Sequence, residues 1–251
     1  MNASGRILRV AAMADVHYRA NPPGPSRAAL YQQVSEAADV LVICGDLTDY
    51  GMPDEAQLVV RELAAVRIPI VAVLGNHDYE SGNQAEVSKT LIDAGIHLLD
   101  GESCEIGGVG FAGCKGFCGG FGKRTLEPWG ESIIKRFVQE ACDESLKLES
   151  ALARLRTPQK IAVLHYAPVQ MTVEGEPPEI YAFLGSSRME DPINRYEVHT
   201  VFHGHAHRGT FRGQTSAGIP VYNVSVSLLE RTFPDKPLFH LIEVPVDGPA
   251  T

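Results

Sequence analysis

Five short motifs carry side chains that could bind metal ions. They are DVH at residues 15–17, GDLTD at 45–49, GNHD at 75–78, a lone histidine at position 165 and HGHAH at 203–207. Carboxylate and amide oxygens combined with imidazoles, and without thiolates, suit Mn, Fe, Co, Ni or Zn rather than a structural zinc knot. Two such ions would polarise a phosphoryl group and supply hydroxide near neutral pH. The motifs therefore indicate a two-metal hydrolase.

Each motif follows an apolar run that is typical of a buried strand. The runs are ILRVAAMA, VLVIC, IPIVAVL, KIAVL and TVF, and each ends directly before a motif. In open layered sheets, ligands usually bind beyond the carboxyl ends of the strands. Any one motif could merely start a turn, but all five together favour a site. We therefore expect five strand ends to deliver these side chains to one crevice.

The order of the motifs resembles that of the calcineurin-like metallophosphoesterases, whose pattern is DxH, GDxxD, GNH[DE], a lone His and GHxH. The match runs from Asp15 to His207, and no element of the pattern is missing. The resemblance implies a metal-dependent phosphoric ester hydrolase with two divalent or mixed-valence transition-metal ions. By position, the implied ligands of one ion are Asp15, His17 and His207, those of the other are Asn76, His165 and His205, and Asp46 bridges the two.

His77 is the candidate general acid, because it follows the implied ligand Asn76 but is assigned to neither ion. A hydroxide that bridges the ions would attack phosphorus in line with the leaving oxygen, and His77 would protonate that oxygen. In the resembling family the last Asp of GDxxD hydrogen-bonds the histidine of GNH, so Asp49 is expected to orient His77. An N-cap role for Asp49, ahead of a predicted helix, stays open. Asp78 either supports the ligands or starts a loop, and His203 is expected to be structural or supporting.

Two loops are candidates for substrate selection. The first, YRANPPGPS at 18–26, follows His17 and is stiffened by three prolines. The second, at 113–131, includes the glycine-rich stretch 115–124, whose basic residues could meet a phosphate. A flexible turn with solvated charges is the alternative. The side chains predicted to contact substrate are Tyr18, Lys123 and Arg124, with Lys115 as a further basic group.

Helical patterns alternate with the strand runs, which favours α/β layers. The patterns are SRAALYQQVSEAA, DEAQLVVRELAAV, NQAEVSKTLIDAG and SIIKRFVQEACDESLKLESALARL. The last third of the chain, with GIPVYNVSVSLL and PLFHLIEVPV, is rich in strand patterns and indicates a second sheet. The resembling family is a four-layer αββα sandwich of two mixed β-sheets flanked by helices. We expect that fold, as one domain over residues 1–251.

Composition narrows the class of partner and compartment. The 251 residues carry a formal net charge of -9, which disfavours the broad positive surface of non-specific nucleic-acid binding. No apolar stretch approaches the ~20 residues that span a membrane, and a cleavable leader would remove part of the first motif. The five cysteines are odd in number and lack paired spacing, so a reducing cytoplasm is expected.

Hydrolysis of a small phosphodiester is the predicted function. The stretch GDLTDYG before a helix resembles the branch that includes bacterial cyclic-nucleotide phosphodiesterases. Phosphomonoester hydrolysis is the closest alternative, because the same ions and acid serve both reactions. A nuclease is disfavoured by the net charge. A metal-poor binding scaffold is disfavoured by the completeness of the ligand set.

Overall fold

The structure is a computed structural model that describes residues 6–20 and 26–246. Its strands are β1 (Arg6–Met13), β2 (Val40–Cys44), β3 (Ile70–Val73), β4 (His97–Leu98), β5 (Glu102–Ile106), β6 (Val109–Gly113), β7 (Gln159–Val163), β8 (Thr200–His203), β9 (Arg212–Gln214), β10 (Pro220–Asn223) and β11 (His240–Val246). Its α-helices are α1 (Ala28–Ala37), α2 (Pro53–Leu63), α3 (Gln84–Asp93), α4 (Ser132–Arg154), α5 (Tyr181–Leu184), α6 (Glu190–Arg195) and α7 (Val226–Thr232). None of the helices in these ranges is long and apolar enough to cross a membrane.

The strands form two mixed sheets. The first has the order β11-β1-β2-β3-β4, in which β11 is antiparallel to β1 and the other neighbours are parallel. The second has the order β5-β6-β7-β8-β10-β9, with antiparallel pairs at both edges and parallel pairs between them. Parallel strands place their carboxyl ends at one edge of a sheet, and β1, β2, β3, β7 and β8 are all in such runs.

The two sheets pack face to face. Val42 and Val71 of the first sheet belong to the same buried cluster as Phe111, Ile161 and Phe202 of the second. All five residues of β2 are buried, because one of its faces meets the second sheet and the other meets the helices. The apolar run VLVIC is therefore explained by burial on both faces.

Helices cover the outer face of each sheet. Ala56, Val59 and Leu63 of α2 follow helical spacing and pack with residues of α1, α3 and the first sheet. Leu148 and Leu152 of α4 pack with residues of α6 and the second sheet. The resulting order of helices, sheet, sheet and helices is the predicted four-layer αββα sandwich, and this prediction is confirmed. The single domain over 1–251 stays a prediction.

The last third of the chain differs from its predicted strand pattern. In GIPVYNVSVSLL only Pro220–Asn223 is a strand, and Val226 begins α7. The adjacent leucines Leu228 and Leu229 are both buried, which a helix can achieve and an alternating strand cannot. The strand β11 joins the first sheet beside β1, whereas β10 lies in the second.

Candidate metal centre

The five motifs lie at strand ends of both sheets. DVH, GDLTD and GNHD follow β1, β2 and β3, whereas the lone His165 follows β7 and HGHAH begins at the last residue of β8. The Asp15 N–H donates to the Gly45 carbonyl at 3.1 Å, and the Gly204 N–H donates to the His165 carbonyl at 3.1 Å. Main-chain hydrogen bonds thus join consecutive motifs at the crevice where the two sheets meet.

The first ligand group consists of Asp15, His17 and His207. These residues and Asp46 each offer one donor atom within 4.8 Å of the others. His207 Nε2 lies 3.5 Å from Asp15 Oδ1, and 42% of the His207 side chain is exposed. Burial raises the pKa of Asp15, but His207 and the nearby histidines outweigh that effect and hold the pKa below its usual value. The group therefore combines a buried carboxylate with two imidazoles, of which His207 is partly exposed to solvent.

The second ligand group consists of Asn76, His165 and His205. The His165 side chain is fully buried, and its Nε2 lies 2.9 Å from Asn76 Oδ1 and 3.4 Å from Asp46 Oδ1. Its Nδ1 lies 3.0 Å from the Cys44 carbonyl, which can only accept. Nδ1 therefore carries the proton, and the lone pair of Nε2 faces the candidate metal-binding oxygens of Asn76 and Asp46. His205 completes a cluster with Asp46 and His165 within 4.8 Å.

Asp46 is the residue that both groups share. Its Oδ2 lies 3.7 Å from His17 Nε2 in the first group, whereas its Oδ1 faces His165 in the second. Burial raises the pKa of Asp46 well above its usual value, and the neighbouring Asp15 raises it further. Two buried carboxylates this close repel each other, which favours a cation between them.

The donor set fits metal ions. Both ring nitrogens of His17 are buried and lack a hydrogen-bond partner among the residues that the structure describes. Burial lowers the pKa of His17 to about 4 and that of His165 well below its usual value. Both imidazoles are therefore neutral at pH 7, which is the form that binds metals. An unpartnered buried nitrogen is costly, and a cation would satisfy it.

The backbone at the ligands is held in an uncommon conformation. Asp15, His17, Asp46 and His205 have φ of 59°, 44°, 50° and 69°, the left-handed region that side chains other than glycine seldom adopt. Such residues persist only where the surrounding structure enforces them, and they concentrate at functional sites. Sequence patterns contain no signal for these dihedral angles, so the prediction from the motifs missed them.

Gly75 shows how closely the motifs pack. A Cβ atom at this position would lie 2.1 Å from Asp46 Oδ1. The Gly75 N–H also donates to Asp78 Oδ2 at 2.8 Å. The glycine of GNHD is therefore required by the close approach of the shared carboxylate, rather than by a left-handed turn.

His77 lies beside the first ligand group. Its ring centre is 4.6 Å from that of His17, and the two rings are nearly perpendicular. Its Nδ1 lies 2.7 Å from the Asp49 carbonyl oxygen. Because a carbonyl only accepts, Nδ1 carries a proton and Nε2 is the nitrogen left for proton transfer.

Asp49 contacts His77 differently from the prediction. The contact is through the Asp49 main-chain carbonyl, whereas the carboxylate lies 3.3 Å from His17 Nδ1, without the alignment of a hydrogen bond, and 2.6 Å from Arg19 Nε. The N-cap alternative for Asp49 is wrong, because α2 begins at Pro53 and Met52 is its N-cap. Asp49 thus contacts His77, the candidate ligand His17 and Arg19 at once.

Asp78 connects two of the motifs. It is fully buried, and its carboxylate accepts from the Thr48 N–H at 2.8 Å, the Thr48 hydroxyl at 2.6 Å and the Leu47 N–H at 3.3 Å, besides Gly75. The GNHD loop is thereby fastened to the GDLTD loop. Of the two open interpretations, support of the site is the one that these contacts favour.

The side chains of His203 and of the predicted substrate contacts form no hydrogen bond or ion pair with the candidate ligands among the described residues. His203 is fully buried, and its ring nitrogens lie 2.8 Å from the Gly204 carbonyl and 2.8 Å from the Thr172 hydroxyl, which is a structural arrangement. Tyr18 is 6% exposed, and its hydroxyl donates to the Tyr31 hydroxyl at 3.0 Å, so this hydroxyl is already paired within the protein. Lys123 and Arg124 lie in an exposed 3₁₀ turn, and neither side chain forms a hydrogen bond or ion pair with a candidate ligand among the described residues. Residues 21–25 of the first predicted loop lie outside the described residues.

Lys115 is the basic residue of the glycine-rich stretch that lies nearest to the site. Only 8% of it is exposed, and its Nζ donates to the Gly116 carbonyl at 2.8 Å. The Nζ also lies 5.5 Å from the ring centre of Tyr79 and 5.3 Å from that of Tyr166. The Lys115 carbonyl accepts from the His165 N–H at 3.0 Å, so Lys115 adjoins the second ligand group.

Comparison with known proteins identifies similar sequences and folds. The model of the calcineurin-like phosphoesterase family matches residues 8–209. Phosphopantetheinyl hydrolase (PptH) from Mycobacterium tuberculosis has a similar fold, with a TM-score of 0.67 and 13% identity over 93% of this chain and 95% of that chain. TT1561 of Thermus thermophilus has a TM-score of 0.55 and 15% identity, over 96% of this chain and 100% of that chain. The purple acid phosphatase PPD1 from yellow lupin (Lupinus luteus) seeds has a TM-score of 0.54 and 13% identity, over 83% of this chain and 38% of that chain. The search of curated proteins found no match.

Proposed function

The chain belongs to the calcineurin-like phosphoesterase family, and on that premise we propose that it hydrolyses a small phosphodiester. The family is one of metal-dependent phosphoric ester hydrolases with two metal ions. The observation that carries the proposal is the position of Asp46 between the two ligand groups, with one carboxylate oxygen facing each. This arrangement fits a pair of ions that share one ligand.

The proposed ligands are the first ligand group, the second ligand group and Asp46. Hard oxygens and neutral imidazoles suit Mn, Fe, Co, Ni or Zn. When bound, two such ions would polarise the phosphoryl oxygens and supply hydroxide near neutral pH. The protein holds the donor atoms in place through the Asp78 hydrogen bonds and the left-handed dihedral angles at four ligands.

His77 is the proposed proton donor to the leaving oxygen. Its Nδ1–H is anchored to the Asp49 carbonyl, so ring rotation is restrained and Nε2 is presented in one orientation. A proton on Nε2 can pass to the leaving alkoxide, whose departure is slow when it must leave as a strong base. His77 is half-buried beside His17, so it can reach a substrate bound at the ligand groups.

The charges around the site support a diester rather than a monoester. A monoester dianion carries more negative charge, which additional basic side chains would have to offset. Lys115 donates to Gly116, and Arg19 Nε is paired with the Asp49 carboxylate. The exposed Lys123 and Arg124 form no hydrogen bond or ion pair with the proposed ligands among the described residues. A diester monoanion therefore matches this site better.

A cytoplasmic location is part of the same proposal. All five cysteines are free thiols, and three of them, Cys44, Cys114 and Cys118, are buried. Thiols in this number are compatible with a reducing compartment.

The test compares two chromogenic esters with one leaving group. Purified protein with added Mn²⁺ would be assayed on bis-p-nitrophenyl phosphate and on p-nitrophenyl phosphate, and its metal content would be measured. We expect about two ions per chain and a higher kcat/KM on the diester. Faster hydrolysis of the monoester would indicate a phosphatase, and inactivity without bound metal would indicate a binding scaffold.

A further inference from the structure

A cavity of about 590 Å³ opens directly beside the first ligand group. Asp15, His17 and His207 form one of its walls, so it is continuous with the candidate metal centre. Pockets of this size accommodate a small organic ligand. The cavity is large enough for a substituent well beyond a phosphate group.

The floor of the cavity is apolar and held in place. It is lined by Tyr18, Val226 and Leu238, and the first two are at least nine-tenths buried. The Tyr18 hydroxyl is hydrogen-bonded to Tyr31, and the Arg27 guanidinium lies 5.6 Å above the Tyr18 ring. A floor that is ordered before binding loses little conformational entropy on binding.

The polar wall of the cavity offers hydrogen-bond acceptors. Among the described residues that line it, both arginines are already paired within the protein. Arg19 Nε forms an ion pair with Asp49 Oδ2 at 2.6 Å, and Arg27 Nη1 donates to the Val16 carbonyl at 3.1 Å. Glu62 and Glu230 line the cavity together with Asp15, so its two arginines face three carboxylates. Glu62 Oε2 accepts from the Ser26 hydroxyl and the Arg27 N–H, both at 2.8 Å, which leaves Oε1 and the Glu230 carboxylate as acceptors. A second phosphate here would face these carboxylates, whereas a hydroxyl group could donate to them.

We propose that this cavity binds an uncharged, hydroxyl-bearing substituent of the substrate, of about the size of a nucleoside. The inference rests on the proposed phosphodiesterase function and adds a substrate class to it. The scissile phosphate would lie at the ligand groups, and the substituent would extend along Tyr18 toward Val226 and Leu238.

A size test uses two diesters with the same leaving group. The probes are thymidine 5′-(p-nitrophenyl phosphate) and methyl p-nitrophenyl phosphate, assayed with Mn²⁺. Ser227→Tyr would fill the cavity from α7, and Thr232→Tyr on the exposed part of the same helix is the matched control. We expect Ser227→Tyr to lower kcat/KM on the nucleoside ester at least ~10-fold, mainly through KM, with less than a ~2-fold change on the methyl ester.

A charge test does not depend on the folding of Ser227→Tyr. The wild-type enzyme and Glu62→Gln would be compared on the nucleoside ester and on its 3′-phosphorylated form. The wild type should favour the 3′-hydroxyl form about 10-fold, and Glu62→Gln should narrow that preference.

The outcomes separate the two proposals. Equal loss on the nucleoside and methyl esters in Ser227→Tyr, or a preference for the 3′-phosphorylated ester, would overturn the cavity inference while the diesterase activity stands. No hydrolysis of either diester by metal-loaded wild type would overturn the proposed function itself.

Discussion

The two ligand groups contain similar donors but differ in how the fold holds them. His165 of the second group is fully buried, and both of its ring nitrogens lie within 3.0 Å of protein acceptors. His17 of the first group has two buried nitrogens without a partner among the described residues, and His207 is 42% exposed. His165 is therefore fixed by the protein through its Nδ1–H, whereas His17 has no protein partner among the described residues and depends on what binds there. The substrate-sized cavity lies beside the first group, which agrees with this division.

The most disruptive change should be at the residue that both groups share. Asp46→Asn removes the carboxylate that faces His17 and His165, so neither ion would keep its full set of ligands. We expect kcat on bis-p-nitrophenyl phosphate to fall at least ~10³-fold and metal content to fall below two per chain. Elemental analysis and steady-state kinetics measure both. Retention of two ions with normal turnover would show that Asp46 does not join the groups.

His77→Ala should separate proton transfer from metal binding. The ring contacts His17 edge-on but belongs to neither ligand group, so metal content should stay near wild type. The rate should fall ~10²–10⁴-fold on an alkyl leaving group and less on p-nitrophenol, which leaves readily without a proton. His97→Ala, in the exposed part of β4, is the control. An equal loss on both leaving groups would contradict the role of His77 as the acid.

Asp49→Asn tests which part of Asp49 supports the acid. The substitution keeps the main-chain carbonyl that accepts from His77, but it removes the carboxylate beside His17 and Arg19. We expect a loss of about 10–100-fold, arising from weaker metal binding in the first group. The ratio of rates on good and poor leaving groups should stay as in wild type. A change in that ratio would mean that the carboxylate, rather than the carbonyl, orients His77.

The smallest expected effect concerns stability without metal. In the presence of a chelator, His165→Ala should lower the free energy of unfolding by ~1–3 kcal/mol, because it leaves the buried Cys44 carbonyl without its donor. His207→Ala, at a partly exposed side chain, should change it by less than ~0.5 kcal/mol. Urea denaturation of both variants makes the comparison. Equal losses of unfolding free energy in the two variants would contradict the inference that the protein holds His165 more firmly than His207.

Sequence patterns predicted the strand ends well for a physical reason. Strands such as β2 are buried on both faces, so they appear as continuous apolar runs, and the polar motif directly after each run marks the edge of the sheet. Recognition of the family from the motif order is confirmed by the family match over residues 8–209. The alternation of helical and strand patterns predicted α/β layers, and the family resemblance predicted the four-layer αββα sandwich.

The contacts around the ligands could not be predicted in this way. The left-handed φ at Asp15 and Asp46 depends on the packing of two sheets. The contact of Asp49 with His77 is made by a main-chain carbonyl, which every residue type has, so the sequence does not indicate it. Charge composition suggested Lys123 and Arg124, yet their turn is exposed, whereas Lys115 in the same stretch is buried and adjoins the second group. The sequence did not predict the helix α7, because the alternation of Val and Ser before Leu228 is typical of a strand.

Anomalous diffraction from crystals soaked in Mn²⁺ tests the central claim most directly. We predict two peaks, one bounded by the first ligand group and one by the second, with Asp46 between them and in contact with both. A single peak would contradict the shared-ligand arrangement. So would a peak at the alternative cluster of His17, Asp49 and His77, whose donor atoms also lie within 4.8 Å of one another, because His77 would then be a ligand instead of the acid.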